Sequence, residues 1–354
     1  MAVLKYILRI ILPAVFATTA LSSCYSDFDP GIDSTPVLCM NAAVTAGKPL
    51  QVELTRTWRW DELLEIDNSS ITVKDAVVKL YVNDQYTEDL VYREVEMDFD
   101  PWIHDQRVLR VYCADNYVPA SGDHIRLEAF SEKYGYASAV ESIPGSVTID
   151  RIEPAVSAVS VAGNIYRFDL SLLIYFTDPD DVTNFYQLNV SSSPYLRDDK
   201  SEARSGFSSL TVDMSNEPLF TEHVSTLESV LAETWGYSFF SDRQISGQSY
   251  PLHIMIKDCE FYYSNPDNLP EYEDVGLDID LMSLSESYYK HVLSVWEAND
   301  GLVGSLGSVG LGEIVPAYSN VSSRAGIVVG NSVASVRLSI PRLLKQHVDI
   351  DTQE

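Results

Sequence analysis

The sequence predicts a mainly β protein: an immunoglobulin-like β-sandwich followed by a second antiparallel β domain carrying one or two helices. Three observations predict it. Short apolar runs alternate with polar residues at strand spacing, separated by turn residues, with no long helix between them in the first half. The chain has 21 Tyr against 12 Phe, which suits half-wet pleated surfaces more than a helical bundle. An apolar fraction of 45% over 354 residues is ordinary for a folded protein and predicts about two domains.

Residues 36–145 read as the sandwich. Pro36-Val37-Leu38-Cys39-Met40 opens the first strand. Leu50, Val52 and Leu54 then alternate with Gln51, Glu53 and Thr55, as one buried and one solvated face require. Ala76, Val78, Leu80 and Val82 alternate again and end at the turn-forming Asn83-Asp84. Val108 to Tyr112 and His124 to Phe130 are two further strands. Ile143-Pro144-Gly145 marks a boundary, because Pro and Gly both break a ladder.

Residues 146–354 read as the second β-rich domain. Val156 to Val161 and Ile165 to Phe176 flank Gly163-Asn164, a hairpin turn. Phe185 to Val190, Leu210 to Val212 and Tyr237 to Phe240 are strand candidates, and Tyr250 to Ile256 is expected to pair back across Ser246-Gly247. Pro218, Phe220, Val224, Leu227 and Leu231 predict a helix over 218–232. A second helix is expected over 281–298, where Leu281, Leu284, Tyr288, Val292, Val295 and Trp296 share one face. Ser283 and Glu286 have the spacing of its capping box, and Asn299-Asp300-Gly301 is its stop. Ile327 to Val329 and Val333 to Ile340 read as two closing strands around Gly330-Asn331.

The first residues carry an address. Lys5 and Arg9 precede the apolar run Ile10 to Ala17, and small residues lead to Leu21-Ser22-Ser23-Cys24. These are the parts of a secretory signal, too short and Pro-broken to span a membrane comfortably. The Cys after Leu-Ser-Ser resembles the bacterial lipobox. Residues 1–23 are then a lipoprotein signal peptide, Cys24 is the lipid-bearing first residue, and residues 24–35 are a tether holding the body at a membrane. Asp27 and Asp29 resemble the export tag that sends Bacteroidetes-type lipoproteins to the outer face of the outer membrane; a periplasm-facing position is the alternative. The formal net charge is −28, and loss of Lys5 and Arg9 takes the mature chain to about −30. That sign repels phosphate backbones, so nucleic acid is not an expected partner.

No catalytic constellation emerges. Glu222-His223 lacks the second His of a zinc protease helix, and Val303 and Leu306 stand where nucleophile elbows at Ser305 and Ser308 need Gly. Gly47-Lys48-Pro49 has Pro in place of the hydroxyl residue of a phosphate loop. Cys39, Cys113 and Cys259 form no closed disulfide set; Cys39 and Cys113 read either as a pair or as small buried residues. Asp178, Asp180 and Asp181 crowd one loop and are candidate calcium ligands, with ordinary turn chemistry as the alternative. Glu271 to Asp274 with Asp278 and Asp280 have the same status. Trp58, Arg59, Trp60 and Trp102 fall in or near loops, where such side chains stack on ligands or, alternatively, close the open end of a sandwich.

Several stretches together resemble a Bacteroidetes lipoprotein family, the domain-of-unknown-function 4249 family. They are Cys24 with Asp27 to Pro30, Ala46 to Pro49, Val52 to Thr57, Val73 to Val78 and Ser142-Ile143-Pro144. Phe176 to Pro179, Asn184-Phe185-Tyr186, Phe239 to Asp242 with Gly247, and Leu284 to Tyr289 continue the series. A departure follows Asn320-Val321, where Arg324 to Gly330 replaces a Gly-Leu-Gly-x-Phe-like ending. The resemblance implies a two-part β-rich lipoprotein associated with TonB-dependent outer-membrane transporters, and no established reaction. The expectation is therefore a non-enzymatic outer-membrane lipoprotein binding a ligand or partner as accessory to such a transporter. A structural or adhesive surface module is the alternative, and a carboxylate-based hydrolase a more remote one.

Overall fold

The computed structural model describes residues 35–58, 62, 68–100, 105–162, 165–180, 182–192, 196–197, 204–221, 238–262, 276–299, 301, 315–340 and 342–344. The signal peptide, Cys24 and the tether up to residue 34 lie outside the described residues.

The body is built on one eight-stranded sheet. Its order is β14 (Phe239–Ser241), β11 (Phe185–Ser192), β16 (Gly276–Leu284), β17 (Gly326–Ser339), β1 (Leu38–Thr45), β2 (Gln51–Arg56), β6 (Asp105–Cys113) and β5 (Val91–Asp100). A four-stranded sheet covers one half in the order β4 (Gln85–Asp89), β3 (Val77–Val82), β7 (His124–Ser131) and β8 (Gly135–Ser142). A five-stranded sheet covers the other half: β12 (Leu196–Arg197), β13 (Arg204–Asp213), β15 (Ser249–Tyr262), β10 (Ile165–Thr177) and β9 (Ile149–Ala162). Two short helical elements lie between strands, α1 (Asn68–Ile71) and the 3₁₀ turn Pro218–Thr221; a longer helix, α2 (Glu286–Asn299), follows β16.

Each covering sheet traps its own core. Leu38, Met40 and Val44 of β1 and Val52 and Leu54 of β2 meet Val78 and Leu80 of β3 and Leu127 of β7 in the first. Phe168 to Phe176 of β10 and Leu252 to Ile256 of β15 meet Tyr186 and Leu188 of β11 and Leu277 to Leu281 of β16 in the second. Strand alternation creates both, since every second side chain points inward and loses its contact with water. The strands expected over 50–55, 76–82, 108–112, 124–130, 165–176 and 185–190 are present, Gly163-Asn164 and Tyr237 lie outside the described residues, and Asn83 and Asp84, with φ of 51° and 64°, make the left-handed hairpin turn between β3 and β4.

The mainly β, mainly antiparallel reading holds, with several differences in detail. The Ile143-Pro144-Gly145 segment separates the two cores, Ile143 belonging to the first and Val147 to the second. It does not separate two bodies: Pro36–Glu354 is one compact unit. The first sandwich is completed from the far end of the chain, because β17 lies beside β1 in parallel, from Met40 opposite Gly326 to Thr45 opposite Asn331. Residues 326–339 form one continuous strand, so Gly330-Asn331 is not a turn. A Cβ at Gly330 would lie 2.5 Å from the Ser142 carbonyl oxygen, so the glycine serves a close backbone approach. Tyr250 to Ile256 pairs with β10 and β13, while β14 pairs with β11.

The helix expected over 281–298 begins later. Leu281 to Leu284 stay in β16, whose period-two alternation continues to the end of its ladder with β17. The cap is Ser285, whose Oγ accepts from Tyr288 N at 3.2 Å, and not Ser283. The stop is as expected, with Gly301 N donating to Trp296 O at 3.0 Å. Of the helix expected over 218–232, the 3₁₀ turn Pro218–Thr221 buries Leu219 and Phe220; the rest lies outside the described residues. Cys39, Cys113 and Cys259 are free thiols, and burial raises the pKa of each, Cys259 to about 12. No helix among the described residues is long and apolar enough to cross a membrane.

Gly330→Ala should lower unfolding stability by about 1–3 kcal/mol, because the methyl meets backbone that cannot turn away. Gly145, with nothing within 4 Å of a built Cβ, is the control and should accept Ala within about 0.5 kcal/mol. Urea unfolding of the two variants reads the difference.

Candidate functional site

The outward face of the eight-stranded sheet carries a groove of about 480 Å³ beside α2. Alternation places its lining. With Met40, Ala42 and Val44 of β1 turned inward, Asn41 and Ala43 face out. Gln51 and Glu53 do the same on β2, and Ile327 and Val329 complete the floor from β17. Tyr288 and His291, one helical turn apart, form the wall.

Packing sets that wall. Tyr289 stacks on Phe185 at 4.4 Å and meets Phe239 edge-on at 5.9 Å, and Trp296 lies in the same small cluster. This apolar stripe seats α2 on the sheet and leaves Tyr288 and His291 towards the groove. His291 Nδ1 lies 2.8 Å from Tyr318 O. A carbonyl only accepts, so Nδ1 carries a proton and Nε2 is the ring atom left for a partner. Burial raises the pKa of Tyr288 and keeps its phenol protonated. Asn41 Oδ1 is already committed, accepting from Ile327 N at 3.1 Å. The groove thus presents a carboxylate at Glu53, a carboxamide at Gln51, a phenol at Tyr288 and an imidazole at His291 over a floor of small and branched apolar residues. No lysine or arginine lines it. The chemistry suits a neutral or cationic partner that donates hydrogen bonds.

The buried carboxylates are engaged elsewhere. Asp178 is 2% exposed, and its oxygens accept from Tyr186 Oη at 2.5 Å and Gly247 N at 3.0 Å. Burial raises its pKa, as does the charge of Asp242, while those hydrogen bonds oppose the shift. Asp242 is buried too and accepts from Asn184 N at 2.9 Å. Glu217 accepts from Leu219 N, Tyr250 Oη and His253 N at 3.2, 2.8 and 2.8 Å. Glu141 accepts from Ser142 N at 2.8 Å and Asn320 Nδ2 at 3.3 Å. Burial lifts its pKa, the Ser142 amide and the Ser287 and Ser285 hydroxyls lower it, and Glu286 raises it further.

The residues singled out from sequence fare differently. Asp178 is buried and Asp180 exposed, both beside Gly247, and Asp181 lies outside the described residues. No cluster of three metal-ligating side chains occurs among the described residues. Asp278 and Asp280 face outward on β16, the first in a two-bond ion pair with Arg337 at 2.6 and 2.9 Å, the second accepting from Ser335 Oγ at 2.5 Å. Trp58 is 47% exposed and lies outside the groove lining. Arg59, Trp60 and Trp102 lie outside the described residues. Glu53 and His291 were not singled out, and Tyr288, expected on the apolar face with Trp296, lines the groove while Tyr289 joins Trp296 in the buried cluster.

The motif stretches meet in space. Ala46 N donates to Asn331 O at 2.9 Å, Ser285 N to Gly330 O at 2.9 Å and Ser332 Oγ to Pro144 O at 2.6 Å. Asn320 binds the main chain of Val328 with both side-chain atoms, at 2.7 and 3.0 Å. Segments 46–49, 142–144, 284–289 and 320–332 therefore knot together around Gly330. Segments 176–179, 184–186 and 239–247 form a second knot around Asp178 and Asp242.

These features define a double-core β framework carrying an open, acceptor-lined groove. The chain belongs to the family described as domain of unknown function DUF4249, whose model matches residues 25–337. No curated protein matches it. Among solved structures it is similar to a crystal structure of a protein described as membrane anchored, from Corynebacterium diphtheriae, at 10% identity and a TM-score of 0.17. The similarity covers 72% of this chain and 55% of that one, so the chain spans about half of that protein's length.

Asp178→Ala should cost about 2–4 kcal/mol in urea unfolding, because it strands the buried Tyr186 hydroxyl and the Gly247 amide. For Glu141 the raised folded pKa means the folded state holds its proton more tightly. Its contribution is complete below the ordinary carboxylate range and is lost as pH rises through the folded value. Glu141→Gln should remove that part of the stability–pH curve, read as the difference between variant and unsubstituted protein from pH 4 to 8.

Proposed function

We propose that this chain is a non-enzymatic lipoprotein of the outer membrane, anchored through Cys24, that binds a partner as accessory to a TonB-dependent transporter. The observation that carries the reading is the groove beside α2, whose Gln51, Glu53, Tyr288 and His291 line an open face of the framework. Side chains that hold the fold together are elsewhere, in the knots around Gly330 and Asp178. The groove is open and shallow-floored, lined by Glu53, Gln51, Tyr288 and His291 over apolar side chains, which supports recognition of a partner's surface. The basic, apolar and small-residue pattern ending at Cys24 supports the anchor, and the ordered motif stretches support the association with a transporter.

A structural or adhesive surface module is a second reading. The continuous eight-stranded sheet favours it, since one hydrogen-bonded layer runs through both cores.

Capture of the full-length protein from cross-linked envelopes tests the first reading. A transporter of the outer membrane should co-purify, and Glu53→Arg should cut its recovery by about tenfold while leaving the unfolding midpoint unchanged. Recovery of fibre or matrix subunits alone would replace this reading with the second. Cys24→Ser should abolish lipid labelling and release the protein from membranes.

A further inference from the structure

We propose that the outer face of the four-stranded sheet, at the end where the tether leaves, contacts the lipid surface to which Cys24 is attached. The inference rests on the lipid-anchor reading and goes beyond it, because an anchor alone fixes no orientation.

The exposed aromatic side chains are unevenly placed. Four aromatics are exposed among the described residues: Trp58, Tyr86, Phe130 and Tyr136, at 47, 55, 51 and 52%. All but Tyr86 lie at one end. Phe130 of β7 sits opposite Val77 of β3 on one side and Tyr136 of β8 on the other. Val77 is itself 49% exposed, so the three make an apolar row across the sheet. The inward neighbours Val78, Ala129 and Ala137 fill the first core, so the row points away from the protein.

The chain enters the body at this same end. Leu38 N donates to Tyr134 O at 3.2 Å, in the β7–β8 turn that Phe130 and Tyr136 flank, and Lys133 lies over the Tyr134 ring at 5.1 Å. Val37 N donates to Thr57 Oγ1 at 2.9 Å, which puts Trp58 beside the entry point. Twelve residues separate this point from the membrane. Even fully extended they reach only about 40 Å. An apolar row with Trp, Tyr and Lys around it, held that close to lipid, has the composition of a membrane-interface surface, where amphipathic rings sit at headgroup depth. The lipid surface is held at this end by the tether itself, whatever else the envelope contains.

The test uses full-length lipidated protein in phosphatidylethanolamine–phosphatidylglycerol vesicles. An environment-sensitive dye is placed at Tyr136→Cys, at Phe130→Cys and, as the far-end control, at Tyr86→Cys. The expected result is a blue-shifted emission at 136 and 130, quenched by brominated lipid, with no change at 86. Protein that floats with the vesicles while all three dyes stay in water overturns the inference. So does a shift at 136 that needs added envelope protein. Failure of the unsubstituted protein to float would instead overturn the anchor reading, and this one with it.

Discussion

The first and last strands of the body, β1 and β17, run side by side in parallel, and no hairpin can make that pairing. The chain must complete both sandwiches before the ladder can close, so the pairing is the most non-local feature of the fold. Everything around it is cut to fit. Asn41 reaches across to the Ile327 amide, and Ser323 Oγ holds Leu38 O at 2.7 Å. Gly326, at a φ of 88°, abuts the Met40 carbonyl, where a side chain has no room. Ser285 caps α2 and binds Gly330 on the same strand, so the helix that walls the groove is positioned by the ladder. The groove floor is the ladder's outward face.

The acidity of the chain has an inside as well as an outside. Most acidic groups serve as surface charge, but Glu141, Asp178, Glu217 and Asp242 are buried. A buried carboxylate is costly unless its oxygens are satisfied, and here amide and hydroxyl donors do so. Such acceptors tie loops that strand ladders cannot reach: Asp178 joins the end of β10 to β11 and to the loop at Gly247, and Glu141 joins β8 to the segment of Asn320. Buried acids with raised pKa values often mark catalytic sites. Of the four, burial raises the pKa of Glu141 and Asp178, and each of those is tied to neighbouring segments by hydrogen bonds.

Strands were legible in the sequence wherever one face is buried. Residues 50–55, 76–82 and 124–130 alternate cleanly, and each became the strand expected. Partnership was not legible, because period-two alternation says which face is buried and nothing about which strand lies alongside. Gly330 was misread for the same reason: a Gly-Asn pair between apolar runs is a turn signal, and only the crossing Ser142 backbone explains a glycine inside a strand. Leu281 to Leu284 fit helix and strand periods alike over so short a stretch, and pairing with β11 and β17 decided for the strand. The groove was legible in pieces, since alternation gave the outward faces of Gln51 and Glu53. What assembles them is the β1–β17 ladder, which local pattern cannot show. The motif stretches were legible as a linear series, and their spatial meaning is two knots of hydrogen bonds.

The two surfaces of the first sandwich then have different physical roles. Its covering sheet turns Val77, Phe130 and Tyr136 outward, and its other layer turns Asn41, Gln51 and Glu53 outward. Because the two layers pack face to face, these surfaces look in opposite directions. If the apolar row meets lipid as proposed, the groove looks outward from the bilayer, toward whatever part of a partner extends beyond it. The large negative charge disfavours contact of most of the body with anionic headgroups, so an approach to them is better made by the apolar row of Val77, Phe130 and Tyr136.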